Sequence, residues 1–410
     1  MSPSTVACMM PCTVPLMLPR TMPLTEILPC PDFFSEMDGT ENDVLSTMPL
    51  PMSRICGRAN MTMMMEMTVP RPRLSPMPAM TGSEVMLPIK KPQIERIEPE
   101  VMIVGKAKFS VSTMASRWCI FTGSAVAIVT PFRAGSIDFN AFDRLVERQI
   151  QGSTDAIVVC GTTGEAATLN YDERMALIER CVRIVDRRVP VIAGSGTNNT
   201  ASSVALSKAT QSAGVDALLT VTPYYNKASQ NGLVRHFSAI ADAVEIPLIL
   251  YNVPSRTGVS CTAETYQKLA EHPNIAGVKE ASDDFDLIQE TLNRCPPDFT
   301  LWSGNDSSTT AIMALGGKGV ISVAANIVPR EMHELTQLCL ENRFSEAGVL
   351  QRRLHELIRA LFCEVNPIPV KAAMEVLDLC SGELRLPLCR ISERHLEQLS
   401  HALEPFRPAV

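Results

Sequence analysis

From residue 120 onward, short apolar runs alternate with stretches whose apolar residues recur at helical spacing. The runs cover residues 124–130, 156–159, 189–193, 217–221, 247–251, 275–279, 299–303 and 319–324. Each is nearly continuous in Val, Ile, Leu and Ala, which is the pattern of a strand buried on both faces. Asp138, a residue type that caps helix N-termini, precedes Phe142, Leu145, Val146, Gln149 and Ile150 at helical spacing. Further helices are predicted over 171–186, 200–213, 229–244, 263–271, 284–294, 306–315 and 329–342. Strand then helix, eight times over about 220 residues, predicts an α/β chain folded as a closed (β/α)8, or TIM, barrel over residues 120–343. An open doubly wound sheet fits eight such units less well.

The alternation stops at residue 343. Helices are predicted over 344–362, 369–379 and 392–403, separated by the proline-containing stretches 366–369 and 384–387. These make a small C-terminal helical domain, residues 344–410, packed on the barrel. The opposite end differs in kind. Of the 22 methionines, 18 lie in residues 1–115, as do 16 of the 30 prolines. Proline that frequent excludes long helices and central strands, and the segment shows neither helical nor strand periodicity. The expectation is an extension of low order, or a start assigned upstream of Met114. A targeting or partner-binding tail is the alternative. Its sparse arginine and its acidic residues do not suit a transit peptide.

Composition narrows the class. A net charge of −7 argues against nucleic acid as the main partner. The 13 cysteines include no metal-like pairs; Cys160, Cys181, Cys261, Cys295 and Cys339 fall in or beside predicted elements, where free cysteine acts as a small hydrophobe. That usage suits a reducing cytoplasm. No apolar run is long enough to span a bilayer, and the stretch 14–24 is broken by Pro15, Pro19 and Pro23.

Barrels of this kind carry their chemistry at the C-terminal ends of the strands, and the special residues of this chain gather there. The second strand runs into Gly161-Thr162-Thr163-Gly164-Glu165, the fourth into Thr222-Pro223-Tyr224-Tyr225-Asn226, and the fifth into Tyr251-Asn252-Val253-Pro254-Ser255-Arg256. The sixth ends at Lys279, the seventh at Ser303-Gly304-Asn305-Asp306 and the eighth at Ala324-Ala325-Asn326. A lysine just past a strand is ordinarily a solvated chain end. In this company Lys279 is a candidate nucleophile, because apolar walls disfavour its ammonium form. Tyr251, one strand over, can relay protons. Thr162 and Thr163 offer hydroxyls and backbone N–H groups to a carboxylate, and Arg256 offers a bidentate pair to a second one. None of the six histidines falls at a strand end, so metal catalysis is not expected. The Gly316-Gly317-Lys318-Gly319 stretch precedes a strand and reads as a helix C-cap, not a phosphate loop. Together these groups point to carbonyl chemistry through an imine.

GTTGEAATL, TVTPYYNK, LYNVPSRTG, GVKEAS, SGND and GVISVAAN, in that order, resemble the 4-hydroxy-tetrahydrodipicolinate (dihydrodipicolinate) synthases of the class I pyruvate-dependent aldolase superfamily. The likeness runs from about residue 120 to the C-terminal helices and includes NPIPVK, residues 366–371. It implies a lyase that condenses pyruvate with L-aspartate 4-semialdehyde in lysine and diaminopimelate synthesis. Lys279 would be the Schiff-base lysine, so no separate cofactor is needed. Tyr251, Thr162 and Tyr225 would be a proton relay, with Tyr225 supplied by a neighbouring subunit of a homotetramer. Thr162 and Thr163 would hold the pyruvate carboxylate and Arg256 the aldehyde substrate, while Gly304 and Ile321 would line the pocket. Asn198 and Tyr224 match positions of a lysine feedback site. Two further positions of that site depart from the family pattern, Ser202 standing for a glutamate and Arg174 for a histidine. Sialic-acid or sugar-acid aldolases of the same superfamily are the runner-up, and they usually lack an arginine in the loop holding Arg256. A phosphate-binding barrel isomerase and a catalytically inactive binding protein are the readings from other classes.

Overall fold

The computed structural model describes residues 118–407, so the expectation for residues 1–115 lies outside the described residues. Ten strands appear in this span: β1 Gly123–Ala127, β2 Phe132–Arg133, β3 Ser136–Ile137, β4 Ala156–Val159, β5 Val191–Gly194, β6 Ala217–Val221, β7 Leu248–Asn252, β8 Ile275–Glu280, β9 Thr300–Ser303 and β10 Gly319–Ser322. All but β2 and β3 pair in parallel and close into a barrel, with β1 bonded to both β4 and β10. β2 and β3 form a separate two-residue hairpin. The sequence did not signal it, because two residues carry no period. Its turn is set by Ala134 and Gly135, both at positive φ (51° and 79°), as the tight hairpin turns require.

Strand alternation builds two cores. One face of each strand points inward, where Ala125, Ala127, Ala156, Val158, Ile192, Leu219, Ile249 and Ile321 pack in layers. The other face points outward to the helices, as Val126, Ile157, Leu218 and Val278 do. Phe121, just ahead of β1, stacks on Trp302 with ring centroids 5.1 Å apart and fills the barrel interior toward its N-terminal end. The outer helices begin as the pattern predicts. Asp138 accepts from the Ala141 N–H, and Asn170 with Glu173 forms a reciprocal capping box.

The helices after the barrel differ from expectation in one place. The single helix predicted over 344–362 is two, Phe344–Arg353 and His355–Leu361. The two expected after it occur as Ile368–Val376 and Glu393–Leu403. These C-terminal helices bring Asn366 and Lys371 against the loops at the C-terminal end of the barrel.

Candidate active site

Lys279 owes its position to the register of β8. It pairs with Tyr251 on one side and Trp302 on the other, after an irregularity between Leu248 and Ile249 where β8 contributes an extra residue. Side chains alternate with period two, so in an unbroken register from Ile275 Lys279 would pair with Asn252 and face the helices. Instead it points inward and is 5% exposed, with Nζ 4.5 Å from the centroid of the Tyr251 ring. Burial pushes its pKa down to about 8; the Asp306 carboxylate raises it and the Arg256 guanidinium lowers it further. The Tyr251 phenol is shifted upward, chiefly by burial. Arg256 and the Thr162 hydroxyl pull it back.

Both residues open into a cavity of about 380 Å³, which is also lined by Thr162, Thr163, Arg256, Gly304, Asp306 and Asn366. Its size suits a small organic substrate. Gly304 forms the wall by close approach, since a Cβ there would lie 2.5 Å from that of Ala281. The turn after β4 is closed by the Glu165 N–H donating to the Thr162 carbonyl at 3.0 Å. It leaves the N–H groups of Thr162 and Thr163 without an acceptor among the described residues, free to donate to an anion. Arg256 sits on a four-residue helix, Pro254–Thr257, where the sequence pattern predicts a loop; proline starts it and Gly258, at φ 73°, ends it. One guanidinium nitrogen donates to the Asn366 carbonyl at 3.0 Å.

The other predicted residues lie outside this cavity. Ile321 lies one layer below, fully buried in the inner core, and is not among the residues lining the cavity. Tyr225 is also outside it. Its backbone is held at φ 71° and its side chain is 90% exposed, so within one chain it does not face Lys279. Tyr224 and Arg174 line an adjoining cavity of about 370 Å³, where Arg174 donates to the Ala166 carbonyl at 2.7 Å. Ser202 and Arg174 share a shallower neighbouring depression. Asn198 accepts through its carbonyl from the Asn226 side chain at 3.0 Å.

Sequence reading missed two residues as parts of the site. The Asn366 amide donates to the Thr163 hydroxyl at 3.0 Å. One Asp306 oxygen accepts from the Val323 and Ala324 N–H groups, both at 3.0 Å, inside the barrel mouth. Asp306 stood at a strand end, which was a usable signal; Asn366 lies 203 residues from Thr163. Among the described residues, no group of three or more His, Cys, Asp or Glu is placed to hold a metal ion.

The profile of the Dihydrodipicolinate synthetase family matches residues 120–405. This chain belongs to that family. A 4-hydroxy-tetrahydrodipicolinate synthase of Acetivibrio thermocellus is 47% identical over 287 residues, covering 70% of this chain and 98% of that protein. The enzyme of the same name from a Thermoanaerobacter species is 49% identical over 288 residues, covering 70% and 97%. Among solved structures, the dihydrodipicolinate synthase of Aquifex aeolicus superposes with a TM-score of 0.69 at 44% identity, covering 70% of this chain and 98% of that one. The corresponding structure from Thermotoga maritima gives 0.69 at 42% identity, with 70% and 98% covered. The barrel and C-terminal helices are therefore those of the family.

Proposed function

We propose that this chain is a 4-hydroxy-tetrahydrodipicolinate synthase, a lyase that joins pyruvate and L-aspartate 4-semialdehyde with loss of one water. The observation that carries the reading is a buried lysine amine with a pKa near 8, against the ring of a buried tyrosine. Residues 120–343 form the catalytic unit, and residues 344–407 supply supporting side chains.

The neutral Lys279 amine attacks C2 of pyruvate and water leaves, giving a protonated imine. The Thr162 and Thr163 hydroxyls and N–H groups hold the pyruvate carboxylate. Tyr251 accepts a proton from the C3 methyl and passes it along Thr162 to Tyr225 of a second copy. The resulting enamine attacks the aldehyde carbon, and the relay returns a proton to the aldehyde oxygen. Arg256 pairs with the carboxylate of the aldehyde substrate. The amine of that substrate then attacks the imine carbon and expels Lys279, closing the ring. The covalent imine takes the place of a separate cofactor. Tyr225 requires a homodimer at least, and two dimers pair as a homotetramer.

A sialic-acid or sugar-acid lyase would give Arg256 no aldehyde-side carboxylate to bind. The test is direct. Mixed with pyruvate and L-aspartate 4-semialdehyde, the protein should consume the two one for one. Cleavage of N-acetylneuraminate with no consumption of the semialdehyde would overturn the assignment.

A further inference from the structure

The ion pair between Glu165 and Lys371 is the most deeply buried in the described residues: both side chains are at 0% exposure, 2.7 Å apart. The proposed mechanism does not use it. Lys371 comes from the helix Ile368–Val376, 206 residues along the chain from Glu165. Its ammonium also donates to the Thr130 carbonyl at 3.0 Å and lies 4.3 Å from the centre of the Phe132 ring. The second Glu165 oxygen accepts from the Arg385 N–H at 3.2 Å.

Such a pair is a weak source of stability, because desolvating two charges offsets most of their attraction. What it holds is more telling. Glu165 closes the turn that carries Thr162 and Thr163, with its own backbone left-handed at φ 53°. A left-handed glutamate is disfavoured unless its surroundings fix it. The Thr130 hydroxyl donates to the Gly164 carbonyl at 2.7 Å, so Lys371 grips both neighbours of the turn, Thr130 through its carbonyl and Glu165 through its carboxylate.

We propose that Glu165 and Lys371 are positioning residues: together they fix the Thr162–Thr163 turn so that its hydroxyls and N–H groups face the pyruvate carboxylate. This rests on the proposed function and deepens it. Removing both charges should leave the fold intact and loosen the turn. A displacement on the order of 1 Å can cost up to about a hundredfold in rate.

The experiment compares wild type with Glu165→Gln/Lys371→Met, using thermal melting, steady-state kinetics and borohydride trapping of bound pyruvate. The expected result is a melting temperature within a few degrees of wild type and a kcat/KM for pyruvate lower by roughly 10- to 100-fold. Trapping should slow in proportion, and the KM for the aldehyde should move less. Pyruvate constants unchanged in the folded protein, whatever the melting temperature, would overturn the proposal. Should the double variant fail to fold, Glu165→Asp keeps the charge and shortens its reach by one methylene; it should raise the pyruvate KM, and an unchanged KM is again fatal. Wild type that is not trapped at all refutes the imine mechanism itself, which separates the two failures.

Discussion

Replacing Lys279 by methionine should abolish turnover and make the protein more stable at neutral pH. An ordinary lysine titrates at 10.5, whereas Lys279 titrates at about 8 because folding strips water from its ammonium. At about 1.4 kcal/mol per pKa unit, holding the charged form in the fold costs about 3 kcal/mol at pH 7. Methionine has nearly the same length and no charge. It forfeits the contact with the Tyr251 ring, worth up to about 1 kcal/mol, so the net gain is about 2–3 kcal/mol. The pH dependence supplies the sharper test. Between about pH 8 and 10.5 the unfolded lysine keeps a proton that the folded one has released, so raising the pH favours the native wild type. The advantage of the variant should therefore fall below about 1 kcal/mol by pH 10. Urea unfolding of both proteins at fixed concentration, at pH 7 and pH 10, reads this difference; titrating groups not coupled to Lys279 cancel, and Asp306, which is coupled to it, is checked by the same comparison in an Asp306→Asn background. A variant no more stable at pH 7, or an advantage that does not shrink with pH, would refute the electrostatic reasoning.

Three further outcomes are expected. Mixing Tyr225→Phe chains with Tyr251→Phe chains should restore part of the activity, because one of the two sites in a hybrid dimer then carries neither lesion; verified hybrids without recovery would exclude a shared site. A chain beginning at Met114 should keep its kcat and KM values, since every proposed site residue lies within 118–407, and an altered kcat or KM would place a contribution upstream. Free lysine should inhibit weakly: Ser202 supplies no carboxylate and Arg174 adds positive charge, and losing one carboxylate partner costs about 2–5 kcal/mol of binding, more than tenfold in affinity. Inhibition titrations of wild type and Ser202→Glu check this, with sensitivity expected to rise in the variant.

The eight barrel strands were legible because each is apolar on both faces, and the cavity residues that sit at strand ends were legible for that reason, whereas Asn366 was not. What was hidden depends on distance or on a local irregularity. The extra residue in β8 that turns Lys279 inward is marked in Ile275-Ala276-Gly277-Val278 only by Gly277, a residue equally consistent with a bulge or a close backbone approach, and Ile321 falls below the cavity because its height along β10 is a matter of barrel stagger. Glu165 and Lys371 carry no sign of each other in the sequence, one standing in the turn after β4 and the other in a predicted helix. Only the packing of a helix 206 residues away shows that each neutralises the other.

The imine at Lys279 is tested most directly by borohydride reduction in the presence of pyruvate, followed by peptide mapping. The mechanism predicts one added three-carbon unit per chain, on the peptide containing Lys279, and none in a Lys279→Arg variant, whose guanidinium stays protonated. Labelling of any other lysine, or no labelling of active wild type, would contradict it.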